Sequence, residues 1–323
     1  MEKKALYNSL RMHHLKDPEG EVQEWQIADY RALSVEELFA GLEAIGIPLE
    51  KSSFMAFAEA CESPEELSAR LAEELELSGE DEDRMFLYLF ELWRRFMPQK
   101  QTMSLFADEL DTQIFLYDQG IQEDTDQLET ALANLQYLLT EQMDAGEDPQ
   151  AVFQSILDCS ANDLESFLYD FISDQIDLDN ILYASELVEG LQGFVQEPKW
   201  FALLKVRILL ATDPQEAGKL IAQLLELTTE DSDVEYHLEF LAILVQDGDK
   251  RSFTRELMAV LPLIHSEEDF QDLLQLCEEY LHCLDLEEKR VLVQELLESR
   301  PEDVESKFDP KDPALKKLQS IFQ

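Results

Sequence analysis

Apolar residues recur every three or four positions along most of the chain, which is the spacing that lines one side of an α-helix. One such stripe consists of Leu38, Phe39, Leu42 and Ile45, and Gly46 follows it as a helix stop. In the C-terminal two thirds of the chain, no alternation of apolar and polar residues with a period of two persists, although a half-buried strand would need it. The pattern therefore predicts an all-α fold.

The helical periodicity fails most clearly at residues 98–101, directly after an aromatic helix predicted over residues 85–97. We therefore place the main domain boundary near Gln101. The pattern predicts an irregular helical N-terminal domain followed by stacked helical hairpins in an α-solenoid-like array. The three predicted parts are a helical N-terminal domain over residues 1–100, an acidic helical-repeat domain over residues 101–308, and a short C-terminal helix or tail over residues 309–323.

An internal repeat is indicated by four aspartates that lie 36 residues apart, each between the two helices of a predicted pair. They are Asp177, Asp213, Asp249 and Asp285. Because an aspartate before a helix can accept hydrogen bonds from the first backbone N–H groups, each is predicted to cap the second helix of its pair. Three columns of apolar residues recur in the same register.

In this register, residues 163–298 resemble tetratricopeptide-type or related α-solenoid repeats, in which helical hairpins stack side by side. The resemblance is one of architecture, because the tetratricopeptide period is about 34 residues and the small residues of that family's helix crossings are missing here. A degenerate solenoid and an irregular helical bundle both fit the pattern. What the resemblance implies is an extended inner face that binds a protein partner.

The chain contains 71 Asp and Glu against 25 Lys and Arg, which gives a formal net charge of −46. Because nucleic-acid phosphates and anionic lipids carry the same sign, we expect no direct binding of nucleic acid or membrane. No signal peptide is recognisable, no apolar run reaches the ~20 residues of a membrane span, and the four cysteines form no Cys-x-x-Cys pair. We expect a cytoplasmic protein with reduced thiols.

Residues 101–198 contain 22 Asp and Glu but no Lys, Arg or His over 98 positions. Ion pairs cannot form within this stretch, so its self-repulsion must be tolerated. The pattern therefore favours a negative surface that attracts a basic protein segment. The residues predicted to bind this partner are Asp163, Glu165, Asp170, Asp174, Asp177, Asp179, Glu186 and Glu189.

The few cations are predicted to hold the acidic chain together. Arg94 and Arg95 follow the aromatic helix and are expected to bind the N-terminal domain to the acidic segment. The two ends of the chain are relatively basic, with Lys4 near one end and Lys317 near the other. Each end is expected to dock on acidic residues elsewhere in the same chain.

Part of the spacing of a calcium-binding loop is present in the chain. Asp177, Asp179 and Glu186 have the spacing of three ligands of an EF-hand loop. Gln175 and Asn180 stand where that loop needs its first acid and its turn glycine. Turn formation and helix capping are therefore favoured over calcium binding, and no metal site, cofactor or catalytic residue is predicted.

The function predicted from the sequence is noncatalytic protein recognition, as a scaffold, adaptor or chaperone that holds a basic protein segment on an acidic helical surface. Two alternatives stay open. One is an acidic mimic of nucleic acid that occupies a DNA-binding protein, which would need carboxylates spaced like phosphates. The other is an enzyme whose site is assembled from distant carboxylates in a deep pocket. The pattern leaves the oligomeric state open.

Overall fold

The computed structural model of the protein describes residues 1–18, 20–75, 77–120, 125–247, 249–301 and 303–322. Within these residues the chain forms α-helices and short 3₁₀ turns and no strand, so the predicted all-α fold is confirmed. The helices are α1 (Lys3–Lys16), α2 (Glu24–Ile27), α3 (Val35–Ala44), α4 (Lys51–Glu59), α5 (Pro64–Glu74), α6 (Gly79–Phe96), α7 (Met103–Asp118), α8 (Asp126–Asp144), α9 (Pro149–Cys159), α10 (Leu164–Asp177), α11 (Ile181–Leu191), α12 (Pro198–Thr212), α13 (Pro214–Leu227), α14 (Val234–Asp247), α15 (Lys250–Val260), α16 (Glu267–Cys283), α17 (Glu287–Glu298) and α18 (Pro313–Phe322).

Helix ends form where the sequence supplies caps. Before α3, the Ser34 hydroxyl accepts a hydrogen bond from the Glu37 backbone N–H at 3.2 Å, and the Glu37 carboxylate accepts one from the Ser34 backbone N–H at 2.7 Å. Gly46 follows α3 with a φ of 85°, a left-handed conformation that glycine adopts without steric cost. Local chemistry therefore fixes the beginning and the end of this helix.

The chain divides into two compact units by the contacts between its residues. Unit 1 consists of Met1–Leu168 and Gly193–Gln196, and unit 2 consists of Tyr169–Gln192 and Glu197–Gln323. This division differs from the boundary predicted near Gln101, because α7 to α9 group with the N-terminal helices. The final helix, α18, belongs to unit 2 and not to a part of its own.

Unit 1 is built around the aromatic helix α6. Phe90, Leu92 and Trp93 on this helix are fully buried, and α3 and α5 pack against it. The central position expected for this helix follows from its composition, because residues apolar on nearly every side must be surrounded by other helices.

A buried ion cluster ties four elements of unit 1 together. The carboxylate of Asp108 on α7, only 2 % exposed, meets Lys4 of α1 at 3.1 Å, Arg31 at 2.6 Å and Arg94 of α6. Asn8 of α1 donates a further hydrogen bond to it at 2.7 Å. Burial would raise the pKa of Asp108, but the three cations outweigh that effect and hold the pKa well below its usual value. The carboxylate is therefore ionised and fully paired.

Arg94 joins α6 to the acidic helix α7, as the sequence predicted, because it contacts both Asp108 and Glu109. The prediction for Arg95 is wrong. Its guanidinium donates to the backbone carbonyl of Arg31 at 3.0 Å, inside the N-terminal helices.

Unit 2 contains helical hairpins that pack side by side. Consecutive helices pair as α12 with α13, α14 with α15 and α16 with α17, while α12 also contacts α14, α14 contacts α16 and α13 contacts α15. Leu203, Phe240 and Leu244 lie fully buried in one apolar core. The hairpin packing agrees with the predicted architecture, while the tetratricopeptide-type kinship stays a prediction.

The core of unit 2 also encloses a histidine and a carboxylate. His237 and Glu256 are 0 % and 1 % exposed, and the His237 Nδ1 lies 2.5 Å from a Glu256 oxygen. The His237 Nε2 faces the backbone carbonyl of Asp231 at 3.3 Å, and Thr228 donates to Glu256 at 3.0 Å. Burial would lower the pKa of His237, but the hydrogen bond and the charge of Glu256 raise it above its ordinary value. Both ring nitrogens face acceptors, which fits a protonated imidazolium.

The C-terminal helix α18 docks on unit 2 through apolar side chains. Leu318 and Phe322 are buried in the apolar core, and the Phe322 ring lies 5.7 Å from that of Phe253. Arg300, ahead of this helix, binds both Glu267 and Asp312. The tail was expected to dock through its lysines. It docks mainly through the apolar face of α18.

We expect Asp108→Asn to lower the free energy of unfolding of unit 1 by about 3 kcal/mol, since it leaves the charges of three cations without their shared carboxylate. Unfolding in urea is followed by tryptophan fluorescence in a Trp200→Phe background. The signal then comes from Trp25 and Trp93, which both lie in unit 1. Glu109→Gln serves as the control because that side chain is 48 % exposed, so its loss should cost less than about 1 kcal/mol. Equal losses for the two variants would contradict the central role of Asp108.

We also expect the stability of unit 2 to fall as pH rises. The folded state keeps the proton on His237 at a pH where the unfolded chain has released it. The stabilisation is therefore complete below the unfolded pKa of about 6.5 and is lost as pH rises through the higher folded pKa. The measurement is the protection of α14 amides from hydrogen exchange, corrected for intrinsic rates, between about pH 6 and about pH 9. A combined His237→Gln and Glu256→Gln variant should lose this dependence, whereas His265→Gln, at an exposed site, should retain it. Protection of wild-type α14 that increases with pH would contradict the assignment.

Candidate functional site

The eight acids predicted to bind a partner fall into both units. Asp163 and Glu165 belong to unit 1, where both serve the fold. Asp163 accepts hydrogen bonds from the backbone N–H and the hydroxyl of Ser166 at 3.2 and 3.0 Å, and so caps the first turn of α10. Glu165 accepts one from the backbone N–H of Gln196 at 3.1 Å. These two acids therefore hold local structure in unit 1.

The other six acids lie in unit 2, on α10, on α11 and in the turn that joins them. On α10, Asp170, Asp174 and Asp177 are exposed and follow each other at intervals of four and three residues, so they line one side of the helix. On α11, Glu186 and Glu189 are exposed and three residues apart, so they also lie on one side of their helix. Each helix therefore presents a row of carboxylates to solvent.

One cation from another helix reaches this surface. Arg207 of α12 donates to Asp177 at 2.5 Å and to the Ser173 hydroxyl at 2.5 Å, while its own side chain is only 10 % exposed. Asp177 itself stays 67 % exposed. This pairing was not predicted from the sequence, because the two residues lie 30 positions apart and no local spacing links them.

The turn between α10 and α11 is closed by its own hydrogen bonds. Asp179 has a φ of 62°, and its backbone N–H donates to the Ile176 carbonyl at 3.1 Å. The Asn180 backbone N–H donates to the Gln175 carbonyl at 2.8 Å, and the two side-chain amides bond at 3.0 Å. These bonds have the pattern of a Schellman C-cap with aspartate in place of glycine. Gln175 and Asn180, the two residues that depart from a calcium loop, thus hold the turn.

The four aspartates of the 36-residue repeat do not share one role. Asp213 and Asp249 cap α13 and α15, as predicted, by accepting hydrogen bonds from two backbone N–H groups each. The prediction is wrong for Asp177, which ends α10 and pairs with an arginine. It is also wrong for Asp285, whose φ of 54° places it in the left-handed turn before α17. Asp179, with a φ of 62°, has the same left-handed backbone conformation as Asp285.

Two large apolar side chains are exposed at the turn between α10 and α11. Leu178 is 66 % exposed and Leu182 is 77 % exposed. Leu178 directly follows the acid row of α10, and Leu182 lies four and seven residues before Glu186 and Glu189, on the same side of α11. This pair was not predicted from the sequence, although the helical spacing of Leu182 from the two glutamates was a signal that could have revealed it.

Unit 1 contains a cleft of about 180 Å³ between α1, the segment after α2 and α7. Its cations are already paired, because Lys4 and Arg31 bind Asp108 and Arg11 binds Asp29 at 2.8 Å. The charged groups of the cleft therefore neutralise one another within the fold. These ion pairs hold the elements of unit 1 that line the cleft together.

Cys159 and Cys277 have the environment of thiols and not of thiolates. Burial and nearby carboxylates raise the pKa of Cys159 to about 11, and burial raises that of Cys277 further. Both stay protonated near neutral pH. Within the part of the chain that the structure describes, no group of three or more His, Cys, Asp or Glu side chains is arranged to hold a metal ion.

In the described residues, none of the helices combines the length and the apolar character that crossing a membrane requires. Comparisons of the chain with known protein families, with characterised proteins and with solved structures find no match.

Proposed function

We propose that the protein is a noncatalytic interaction module, a scaffold, adaptor or chaperone, which holds a basic segment of another protein on the acidic surface of α10 and α11. The observation that carries the proposal is the pair of exposed carboxylate rows on these two helices. Residues 101–198, which include both helices, supply no cation of their own to neutralise them.

The exposed carboxylates of α10 and α11 are suited to attract a basic partner by their charge. An isolated exposed ion pair contributes only about 0.2–1 kcal/mol, so several carboxylates must act together to hold a partner. Their combined field extends over about 8 Å at physiological salt and favours the approach of positively charged segments. The same field repels nucleic acids and other acidic proteins.

The packing of the neighbouring helices supports the same class of function. Helical hairpins packed side by side leave extended faces that are typical of protein-binding repeat modules. The buried ion pairs and the paired charges of the unit 1 cleft also leave few groups free for chemistry, because each charged side chain there already has a partner inside the fold.

The test is a charge-neutralised variant that combines Asp174→Asn, Asp179→Asn, Glu186→Gln and Glu189→Gln. Proteins captured from a lysate by the tagged chain are quantified by mass spectrometry at about 0.05 M and about 0.3 M salt. We expect basic partners that are captured by the wild type at low salt and reduced at higher salt. The variant should recover roughly tenfold less of them, since four rim charges together contribute ~1–3 kcal/mol.

The control makes the same change in net charge elsewhere in unit 2. It combines Glu268→Gln, Glu288→Gln, Glu295→Gln and Glu298→Gln, all at exposed positions. This variant should capture the same partners as the wild type. Equal losses in both variants would mean that net charge alone acts, and partners that withstand both salt and neutralisation would refute an electrostatic surface.

A further inference from the structure

In chain order, the exposed leucines lie between the acids of α10 and those of α11, and they indicate what the surface recognises. Large apolar side chains are commonly exposed one at a time, so a single exposed leucine calls for no explanation. Here Leu178 and Leu182 are four residues apart and 66 % and 77 % exposed, at the point where the acid rows of α10 and α11 meet the turn. Along the chain, carboxylates therefore stand on both sides of the two leucines.

Hydrogen bonds hold the backbone of the turn that carries Leu178 in one conformation. The backbone hydrogen bonds of Asp179 and Asn180 close the turn, and Arg207 binds Asp177, the last residue of α10 before it. A rigid turn loses little conformational entropy when a partner binds, so the apolar contact area converts more fully into affinity.

Other exposed apolar side chains differ from this pair in their surroundings or their chemistry. Val291 and Leu292 on α17 are 41 % and 48 % exposed, and they directly follow Lys289 and Arg290 in the chain. Within the cation-free residues 101–198, Tyr137 and Met143 on α8 are also exposed, at 67 % and 42 %, but Leu178 and Leu182 are both branched aliphatic side chains and stand on either side of one turn.

We propose that Leu178 and Leu182 are apolar anchor points, and that the segment bound there carries a large aliphatic side chain between lysine or arginine residues. This rests on the proposed function and names the chemistry of its partner. Charge complementarity selects this occupant, because cations on both sides of the aliphatic group would face Asp174 on one helix and Glu186 on the other. A second copy of the chain would bring the same acids against these and would be repelled.

The experiment is selection of a random peptide display library on the full chain, followed by affinity measurements on the enriched peptides. Fluorescence anisotropy compares the wild type with a variant that combines Leu178→Gln and Leu182→Gln. We expect the enriched peptides to share an aliphatic residue flanked by Lys or Arg, and to bind the variant about tenfold more weakly. Circular dichroism verifies that the variant is folded.

A matched control changes two other exposed leucines of unit 2, as Leu227→Gln with Leu292→Gln. These side chains are 71 % and 48 % exposed, so the control removes apolar surface of the same kind. The peptides should bind this control within about twofold of the wild type.

The outcomes separate this inference from the proposed function. Basic peptides that lack an aliphatic consensus and ignore the Leu178 and Leu182 changes would overturn the inference and leave the proposed function standing. Peptides without basic residues, or binding that is insensitive to salt and to the four-acid variant, would overturn both. Failure of the wild type to enrich any peptide over the leucine variant would overturn the inference. So would self-association through the two leucines, seen by sedimentation of wild type and variant.

Discussion

The scarcity of cations is the constraint on which this structure depends. With 46 more acids than bases, most carboxylates have no opposite charge available, and several of the few cations each contact more than one acid. Arg94 contacts Glu91, Asp108 and Glu109, Arg300 contacts Glu267 and Asp312, and Lys199 contacts Asp231 and Asp233. Glu91, Asp108 and Glu267 are buried, and there the low dielectric makes each pair stronger than it would be in water.

Much of the helical pattern was readable because it is local. A capping serine and its glutamate lie three residues apart, so Ser34 and Glu37 could be paired from the sequence. Asp213 was recognisable for the same reason. The pairing of Asp177 with Arg207 was not, because it depends on the packing of α10 against a later helix. The assignments of Asp177 and Asp285 as caps failed because a 36-residue interval fixes position along the chain but not the φ angle that a turn requires.

The division into compact units also shows what local sequence patterns fail to predict. The break near Gln101 is real as the end of α6, since the helix stops at Phe96 and the next begins at Met103. The compact unit nevertheless continues past it, because Asp108 on α7 gathers cations from α1 and α6. A sequence shows where helices stop but not which helices pack together, since a buried ion cluster links residues up to 104 positions apart.

The candidate surface separates two physical roles that act at different distances. Carboxylates act over several ångströms of solvent and determine which proteins approach, while leucine side chains contribute only after water has left the interface. Acids alone would attract any basic segment, and leucines alone would favour any apolar one. In the proposed interaction, rows of acids that end at Leu178 and Leu182 would require both properties of one partner, and a strongly charged helical surface would become selective in this way. The absence of cations from residues 101–198 supports the proposed selectivity, because a lysine on the same helices would weaken the negative field that is proposed to attract the basic segment.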